Sequence, residues 1–251
     1  MDPMILYIIR HAQSANNRIA AGIEYEVYMR DRSPDPPLTE LGHLQAQTVA
    51  QHLAESAAAE PCDARETADT RITHLYCSAM LRTLQTTQAV AQTLALAPEI
   101  WLDLHEHGGL FHGNPRNGDN LRSYPGITRQ QVGREFAGFV LPAEITEEGW
   151  WRGVYEDMPG CYARAIRVAR TLRRRAEANR AAGIAERIAL ISHGTFIDCL
   201  LKALFNQAPQ RQLFYFHYNT AITRVDFRPD DTLLLRYLNR TQHLPAELLS
   251  E

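Results

Sequence analysis

The sequence is poor in the features that mark secreted, zinc-binding and membrane proteins. Its 251 residues include only four cysteines, and these show no C-x-x-C or other metal-ligand spacing. Four cysteines in a chain of this length do not form a dense disulfide framework. No apolar run approaches the roughly 18 residues of a membrane span, and the first apolar run starts too early to leave room for a signal peptide. We therefore expect a cytoplasmic protein that does not bind a membrane.

An excess of one charge is also missing. The formal net charge is −3, with 22% charged and 45% apolar residues, which is ordinary for a soluble globular protein. Nucleic-acid binding would need a local basic stripe. The best candidate is an arginine-rich stretch on a predicted helix, interpreted as a solvated face: Arg167, Arg170, Arg173, Arg174, Arg175 and Arg180. No nucleic-acid partner is therefore predicted.

The strongest positive signal is an apolar run that stops on an Arg-His pair. Residues 5–9 are all apolar, three of them β-branched, and Arg10 and His11 follow directly. Such a run is typical of a strand covered on both faces. In open α/β sheets ligands bind beyond the carboxyl ends of such strands, so this pair is expected to lie at a site.

Loop and helix signals follow the first strand. Residues 18–37 are polar and rich in turn residues, which predicts a long loop beside the end of the first strand. Thr39 is placed to cap a helix whose apolar stripe runs from Leu41 to Leu53 and includes Leu44.

The strand-then-helix pattern then repeats. Residues 56–71 change to a polar, alanine-rich composition that predicts a surface loop without chemistry. A second strand is expected at 72–77, and it leads through Ser78, a predicted helix N-cap, into a helix. A third short strand is expected at 99–102 and ends just before an acidic and histidine-rich stretch.

The second half contains an irregular insertion and a return to the α/β pattern. Residues 108–158, here called the cap segment, show little periodicity and are too long for an ordinary connection. A long helix is expected from 159 or 160 to 182, with Ile166 facing inward. A buried strand at 187–191 and a helix at 196–204 follow.

A closing hairpin at 220–227 and 232–237 completes the chain. Together these elements predict a three-layer α/β/α sandwich. Its central sheet is mostly parallel, with an antiparallel edge strand. The whole chain, 1–251, is expected to form a single domain with the cap at about 108–158.

Several predicted strands end on groups suited to phosphoryl transfer. Arg10 and His11 follow the first strand, Arg82 follows the second, Glu106 the third, and Ser192-His193-Gly194 the fourth. Arginines bind phosphate oxygens bidentately, and an imidazole can attack phosphorus. A carboxylic acid can then protonate the leaving oxygen, and the helix after Gly194 offers N–H groups to an anion.

At these residues the sequence resembles the histidine phosphatase superfamily, in its phosphoglycerate mutase-like branch. The R-H-G signature appears as Arg10-His11-Ala12, followed by Ser14 and Asn17. The P-L-T-x-x-G-x-x-Q-A segment is residues 37–46. The S-x-x-x-R-T-x-Q-T segment is residues 78–86. The L-x-E segment ends at Glu106, and the S-H-G segment is residues 192–194. Five motifs occur in the family's order and span most of the chain.

The resemblance implies a role for each matching residue. His11 would be the nucleophile that becomes phosphohistidine, and Glu106 would be the general acid and then the base for water. Phosphate would be bound by Arg10, Asn17, Arg82, His193 and Gly194. The implied substrate is the phosphomonoester of a small metabolite, and no metal or other cofactor is implied.

Some alternatives stay open. Ala12 replaces the motif glycine, and the stretch after Glu106 lacks the context typical of true phosphoglycerate mutases, so a mutase or a catalytically impaired phosphate-binding regulatory protein is the alternative function. His105 and His107, with Glu106 and nearby His112, form an alternative metal site. The sequence does not name the leaving group, which arginines of the cap segment would contact, nor whether the chain forms a homodimer.

Overall fold

A six-stranded mixed sheet forms the centre of the fold in the computed structural model, which describes residues 2–20, 22–58, 71–210 and 212–251. The strands of the chain are β1 (Met4–Arg10), β2 (His74–Cys77), β3 (Glu99–Ile100), β4 (Phe111–His112), β5 (Arg122–Ser123), β6 (Glu186–Ser192), β7 (Ile222–Phe227) and β8 (Leu233–Arg240). The order in the main sheet is β3-β2-β6-β1-β7-β8. The first four of these strands are parallel, and the β7–β8 hairpin is antiparallel at one edge.

Helices cover both faces of this sheet. They are α1 (Ala15–Ala20), α2 (Tyr25–Asp31), α3 (Glu40–Ala58), α4 (Leu81–Leu94), α5 (Arg129–Glu135), α6 (Met158–Ala182) and α7 (Gly194–Leu204). Alternate residues of β1 point to opposite faces. Ile5 and Ile9 pack with α3 and α4, whereas Leu6 and Ile8 pack with α6 and α7. The predicted three-layer α/β/α fold is confirmed.

The cap segment packs on the α3–α4 side of the sheet. It contains the small β4–β5 ladder and helix α5. Val132, Phe136, Ile145 and Trp150 are buried in the same hydrophobic cluster as α3 and α4. The backbone of Val140 also exchanges hydrogen bonds with the β3 region. The segment therefore has regular structure, and its core is continuous with that of the sheet.

The prediction that 18–37 is a loop is wrong in part, because half of this segment is helical. Helix α1 ends within it, and α2 occupies residues 25–31. Tyr25, Tyr28, Met29 and Arg32 recur at helical spacing and line a cavity shared with the cap segment. The residues on this face are mainly polar or aromatic, so the pattern lacked the aliphatic stripe that marks a buried helix.

Three smaller expectations also need correction. Leu44 and Ile166 are 51% and 39% exposed, so the apolar stripes of α3 and α6 are narrower than the sequence indicates. The third strand ends at Ile100, and a short 3₁₀ turn occupies residues 102–104. Helix α4 begins at Leu81 with Met80 as its N-cap, because the Ser78 hydroxyl contacts Thr83 and His193 instead.

Further sequence expectations concern the cysteines, the surface loop, the arginine-rich face of α6 and membrane spans. Cys77, Cys161 and Cys199 are free thiols and are buried, whereas Cys62 and residues 59–70 of the expected surface loop lie outside the described residues. The arginine-rich face of α6 is partly paired, since Arg175 binds Glu186 and Arg180 binds Asp231. Within the described ranges, no helix is long and apolar enough to cross a membrane.

Candidate active site

The candidate site lies beyond the carboxyl ends of the parallel strands. Arg10 ends β1 and stands in register with Ser192, the last residue of the neighbouring strand β6. Arg82 lies in the first turn of α4, just after β2, and Glu106 follows the 3₁₀ turn after β3. The carboxyl ends of four parallel strands thus bring their polar residues to one edge of the sheet, as the sequence predicts.

His11 is held with one nitrogen toward the protein and the other toward Arg82. Its Nδ1 lies 2.7 Å from the carbonyl oxygen of Ala12, and its Nε2 accepts a hydrogen bond from Arg82 Nε at 3.1 Å. A carbonyl can only accept, so Nδ1 carries the proton and Nε2 has the lone pair. The ring is 3% exposed. Burial lowers the pKa of His11 well below its usual value, and the charges of Arg82 and Arg10 lower it further.

Arg82 is itself held by a buried carboxylate that the sequence analysis missed. Asp35 Oδ1 lies 3.9 Å from Arg82 Nη1 and accepts a hydrogen bond from the backbone N–H of Leu81 at 2.9 Å. Asp35 therefore supplies the side-chain acceptor at the start of α4. Burial raises the pKa of Asp35 to about 6, against the opposing effect of Arg82. Its position beside Pro36 and Pro37 was the available sequence signal.

Arg10 is fixed by a backbone acceptor. Its Nη1 donates to the carbonyl oxygen of His217 at 2.5 Å, and its Nε is buried without a hydrogen-bond partner within the described ranges. Burial lowers the pKa of Arg10 to about 10, which leaves the guanidinium charged at neutral pH. His217 thus holds Arg10 through its backbone carbonyl, while its ring forms a hydrogen bond with the Thr223 hydroxyl.

Glu106 is held by backbone amides. One carboxylate oxygen accepts from His107 at 2.8 Å and from Phe196 at 3.0 Å, and the other accepts from Thr195 at 3.2 Å. Thr195 and Phe196 lie in the first turn of α7, so this carboxylate occupies the positive end of that helix. The N-terminus of α7 therefore positions the Glu106 carboxylate through its free N–H groups.

His193 lies beside His11, and Gly194 lies beside Arg10. The His193 ring is fully buried, 5.1 Å from the His11 ring, and its Nε2 lies 2.7 Å from the Ser78 hydroxyl. Its Nδ1 has no hydrogen-bond partner within the described part of the chain. Burial, followed by the charge of Arg82, lowers the pKa of His193. A Cβ placed on Gly194 would lie 3.5 Å from Arg10 Nε, so Gly194 forms the floor beneath that guanidinium.

The loop after His11 is fixed by a set of amide and hydroxyl contacts. Asn17 Oδ1 accepts hydrogen bonds from the backbone and hydroxyl of Ser14. Asn219 Nδ2 donates to the His11 carbonyl at 3.0 Å. Gly42 of α3 is essential to this packing, since a Cβ there would lie 2.1 Å from the Gln13 carbonyl oxygen. These contacts give structural reasons for motif residues that do not touch the His11 ring.

Ala12 occupies its position without strain. It does not have the positive φ that favours glycine. Its N–H donates to Thr86 Oγ1 at 3.1 Å, and its buried side chain packs with Leu38 and Ala46. The backbone geometry therefore does not need a glycine here.

One cavity of about 330 Å³ contains most of these groups. Arg10, His11, Asn17, Arg82 and Glu106 all line it, whereas His193 and Gly194 do not. The other lining residues come from α2, the following loop and the cap segment, and include Tyr25, Tyr28, Arg32, Phe111 and Tyr155. The sequence did not single out these tyrosines, because the helix that carries two of them was not predicted.

The alternative metal site is not assembled by the described residues. His105 is buried, with its Nδ1 2.8 Å from the Leu102 carbonyl and its ring 4.9 Å from Trp151. Burial lowers the pKa of His105 to about 3. The His107 ring packs edge-on against Tyr155. Over the described ranges, no three His, Cys, Asp or Glu side chains are grouped to hold a metal ion.

Comparison with solved structures shows the same fold in several phosphatases. The phosphoserine phosphatase of Entamoeba histolytica in complex with 3-phosphoglyceric acid is 20% identical, with a TM-score of 0.55 over 96% of this chain and 100% of that one. A mycobacterial glucosyl-3-phosphoglycerate phosphatase with VO3 is 16% identical, with a TM-score of 0.55 over 94% and 99%. A putative alpha-ribazole-5'-P phosphatase from Escherichia coli is 18% identical, with a TM-score of 0.57 over 94% and 96%.

These identities are low and support the fold alone. No curated protein sequence matches the chain significantly. The profile of the histidine phosphatase superfamily (branch 1), however, matches residues 6–240, which is nearly the whole chain. The chain belongs to the histidine phosphatase superfamily, as the order of its motifs indicates.

Proposed function

We propose that this protein is a phosphatase that hydrolyses the phosphomonoester of a small metabolite through a phosphohistidine on His11. The observation that carries the proposal is the state of that ring. His11 is neutral and has its proton on Nδ1. Its Nε2 accepts a hydrogen bond from the Arg82 guanidinium, and the ring lines a cavity that Arg10 also lines. The match of the histidine phosphatase family profile over residues 6–240 supports the same class of reaction.

In the first step His11 Nε2 would attack the phosphorus atom. An N–P bond forms and the bond from phosphorus to the ester oxygen breaks, so the imidazole acquires a positive charge. The Ala12 carbonyl, which accepts from Nδ1–H at 2.7 Å, would stabilise that charge. Arg82 Nε would transfer its hydrogen bond from His11 to a phosphoryl oxygen.

The phosphoryl group would be bound by the two arginines and by groups around them. Arg10 and Arg82 match the two charges of a phosphate dianion, and charge-assisted hydrogen bonds of this kind are the strong ones. Arg10 Nε and His193 Nδ1 are buried nitrogens without hydrogen-bond partners in the described chain. If the Ser78 hydroxyl donates a hydrogen bond to His193 Nε2, then His193 Nδ1 carries the proton and can donate a hydrogen bond to a phosphoryl oxygen. Asn17 lines the same cavity.

Glu106 would move the protons. In the first step its carboxylic acid protonates the leaving oxygen, and in the second step the carboxylate takes a proton from the water that attacks phosphorus. The second step breaks the N–P bond and restores neutral His11. The amides of α7 hold the carboxylate in place through both steps.

The test is phosphate release from a broad panel of sugar phosphates, nucleotides, phosphorylated acids, phosphopeptides and p-nitrophenyl phosphate. We expect turnover of at least one substrate, with no turnover by His11→Ala. A matched control is His43→Ala, since His43 is an exposed histidine of α3 outside the cavity. Retention of most activity by His11→Ala would show that the nucleophile is another group, and an inactive wild-type protein would contradict the phosphatase proposal.

A further inference from the structure

One wall of the cavity is built by two segments that face each other. Tyr25, Tyr28 and Arg32 line it from α2 and its C-terminus, and Phe111 and Tyr155 line it from the cap segment. The two sides are joined, because the Tyr25 hydroxyl reaches Asn114 and the Arg116 guanidinium stacks 3.4 Å above the Tyr25 ring. This wall is therefore a preformed surface that the leaving group of a bound phosphoester would contact.

Arg32 is the charged residue of this wall. Its Nη1 donates to the Phe111 carbonyl at 3.0 Å, and its guanidinium lies 4.3 Å from the centre of the Phe111 ring. That hydrogen bond uses one of the five N–H groups of the guanidinium. Among the described carboxylates none forms an ion pair with Arg32. Burial lowers the pKa of Arg32, and the Tyr28 hydroxyl opposes this shift.

Arg32 is the arginine of the cavity for which neither the phosphate site nor a carboxylate supplies an opposite charge. Three arginines, Arg10, Arg32 and Arg82, line the cavity together with one carboxylate, Glu106. Arg82 contacts His11 and also lies 3.9 Å from the Asp35 carboxylate, and Arg10 lies next to His11 in the chain. Glu106 is held by the backbone amides of His107 and α7. Arg32 forms no ion pair with a described carboxylate, and a partly buried cation without an opposite charge costs free energy.

We propose that Arg32 is a specificity-determining residue that binds a second anionic group on the leaving-group side of the substrate. The substrate class is then a small phosphomonoester that carries a carboxylate or a second phosphate. This inference rests on the proposed phosphatase function and narrows it. A guanidinium fork suits either anion through paired hydrogen bonds. The volume of about 330 Å³ is at the small end of ligand pockets, which favours a compact substrate.

The test compares esters that differ only at the end remote from the phosphate. Glycerol 1-phosphate, 3-phosphoglycerate and glycerol 1,3-bisphosphate present a hydroxyl, a carboxylate and a phosphate there. Phenyl phosphate and 4-carboxyphenyl phosphate give the same comparison on a longer, rigid scaffold. The kcat/KM of each is measured for the wild type, Arg32→Gln and Arg32→Lys. The two anionic ends of the glycerol series distinguish a carboxylate site from a phosphate site.

We expect the wild type to prefer an anionic end over its neutral counterpart by between about 10-fold and 100-fold in at least one series, mainly through KM. Arg32→Gln should abolish that preference, and Arg32→Lys should restore part of it. Arg30→Gln is the matched control, because Arg30 lies on the same helix with a side chain 72% exposed and paired with Asp31. It should keep the wild-type preference. Inhibition by inorganic phosphate, which needs no leaving-group contact, verifies that Arg32→Gln retains a folded phosphate site.

Two results would overturn the inference while leaving the proposed function intact. One is a wild type that hydrolyses these esters without preferring the anionic ends in either series. The other is an Arg32→Gln variant that binds inorganic phosphate normally and keeps the full preference. A wild type that releases phosphate from neither these esters nor the broad panel would instead contradict the proposed function itself, and the inference with it.

Discussion

Replacing Arg82 by glutamine tests the centre of the proposed site, because this guanidinium contacts His11, the proposed nucleophile, and would contact the phosphate. Its Nε lies 3.1 Å from His11 Nε2, and the side chain is only 10% exposed. The substitution removes a positive charge and leaves Asp35 without the cation beside it. We expect lower kcat/KM together with a changed pH profile.

The magnitude follows from the contacts that are lost. Hydrogen bonds to charged groups contribute about 1.5–3 kcal/mol each, and a guanidinium can form two with a phosphate. Loss of both costs about 3 kcal/mol or more, which lowers kcat/KM roughly 100-fold or more. Arg82 also lowers the pKa of His11. Without it that pKa rises, a larger fraction of His11 is protonated at a given acidic pH, and the acid limb of the rate profile moves to higher pH.

The measurement is kcat/KM against pH for the wild type, Arg82→Gln and Arg82→Lys on one good substrate. Lysine keeps the charge, so the acid limb should move less than in the glutamine variant while kcat/KM still falls. Arg134→Gln, a change at a surface arginine that is 70% exposed, controls for a general loss of charge. The reasoning would be refuted if Arg82→Gln kept kcat/KM within about threefold of wild type and its acid limb did not move.

Three further substitutions follow from the same contacts. Glu106→Gln should slow hydrolysis of alkyl esters by about 100-fold to 10,000-fold and of p-nitrophenyl phosphate much less, because nitrophenolate leaves without a proton; equal losses would exclude the acid role. Burial raises the pKa of Asp35 from 3.8 to about 6, so the native state binds this proton more tightly than the unfolded state. The free energy of unfolding should therefore fall by up to about 3 kcal/mol as pH rises through that window. Urea unfolding of Asp35→Asn should show a flatter pH dependence, and an unchanged slope would refute this. Ala12→Gly should lower the free energy of unfolding, measured in urea, by about 1 kcal/mol. It should not raise kcat/KM, since the backbone at this position needs no glycine, and a gain in kcat/KM would contradict that.

The main parallel strands and the antiparallel hairpin at the edge of the sheet follow closely from the sequence. The apolar run ending at Arg10 and the run ending at Ser192 are buried parallel neighbours, so the residues after them meet at one edge. The helix capped by Thr39 is also where the pattern places it, with the Thr39 hydroxyl accepting from the Gly42 amide. The local hydrophobic pattern was sufficient to predict these elements, because each of them forms where its own apolar residues are buried.

The wall of the cavity could not be predicted in the same way. Helix α2 faces a polar, partly enclosed space, so Tyr25, Tyr28 and Arg32 show none of the aliphatic periodicity that marks a packed helix. The cap of α4 shows the same limit. The sequence predicts Ser78 as the cap, whereas the acceptor for the Leu81 amide is Asp35, in a loop 46 positions earlier. Contacts of this kind depend on the tertiary fold.

The most direct test of the account is to trap the phosphoenzyme. The protein is mixed with a substrate from the panel, quenched in base within the first turnover, and analysed by intact-mass and peptide mass spectrometry. The account predicts one phosphoryl group per chain, located on His11, lost on acid treatment, and absent from His11→Ala. Phosphate on any other residue, or full turnover by His11→Ala, would contradict it.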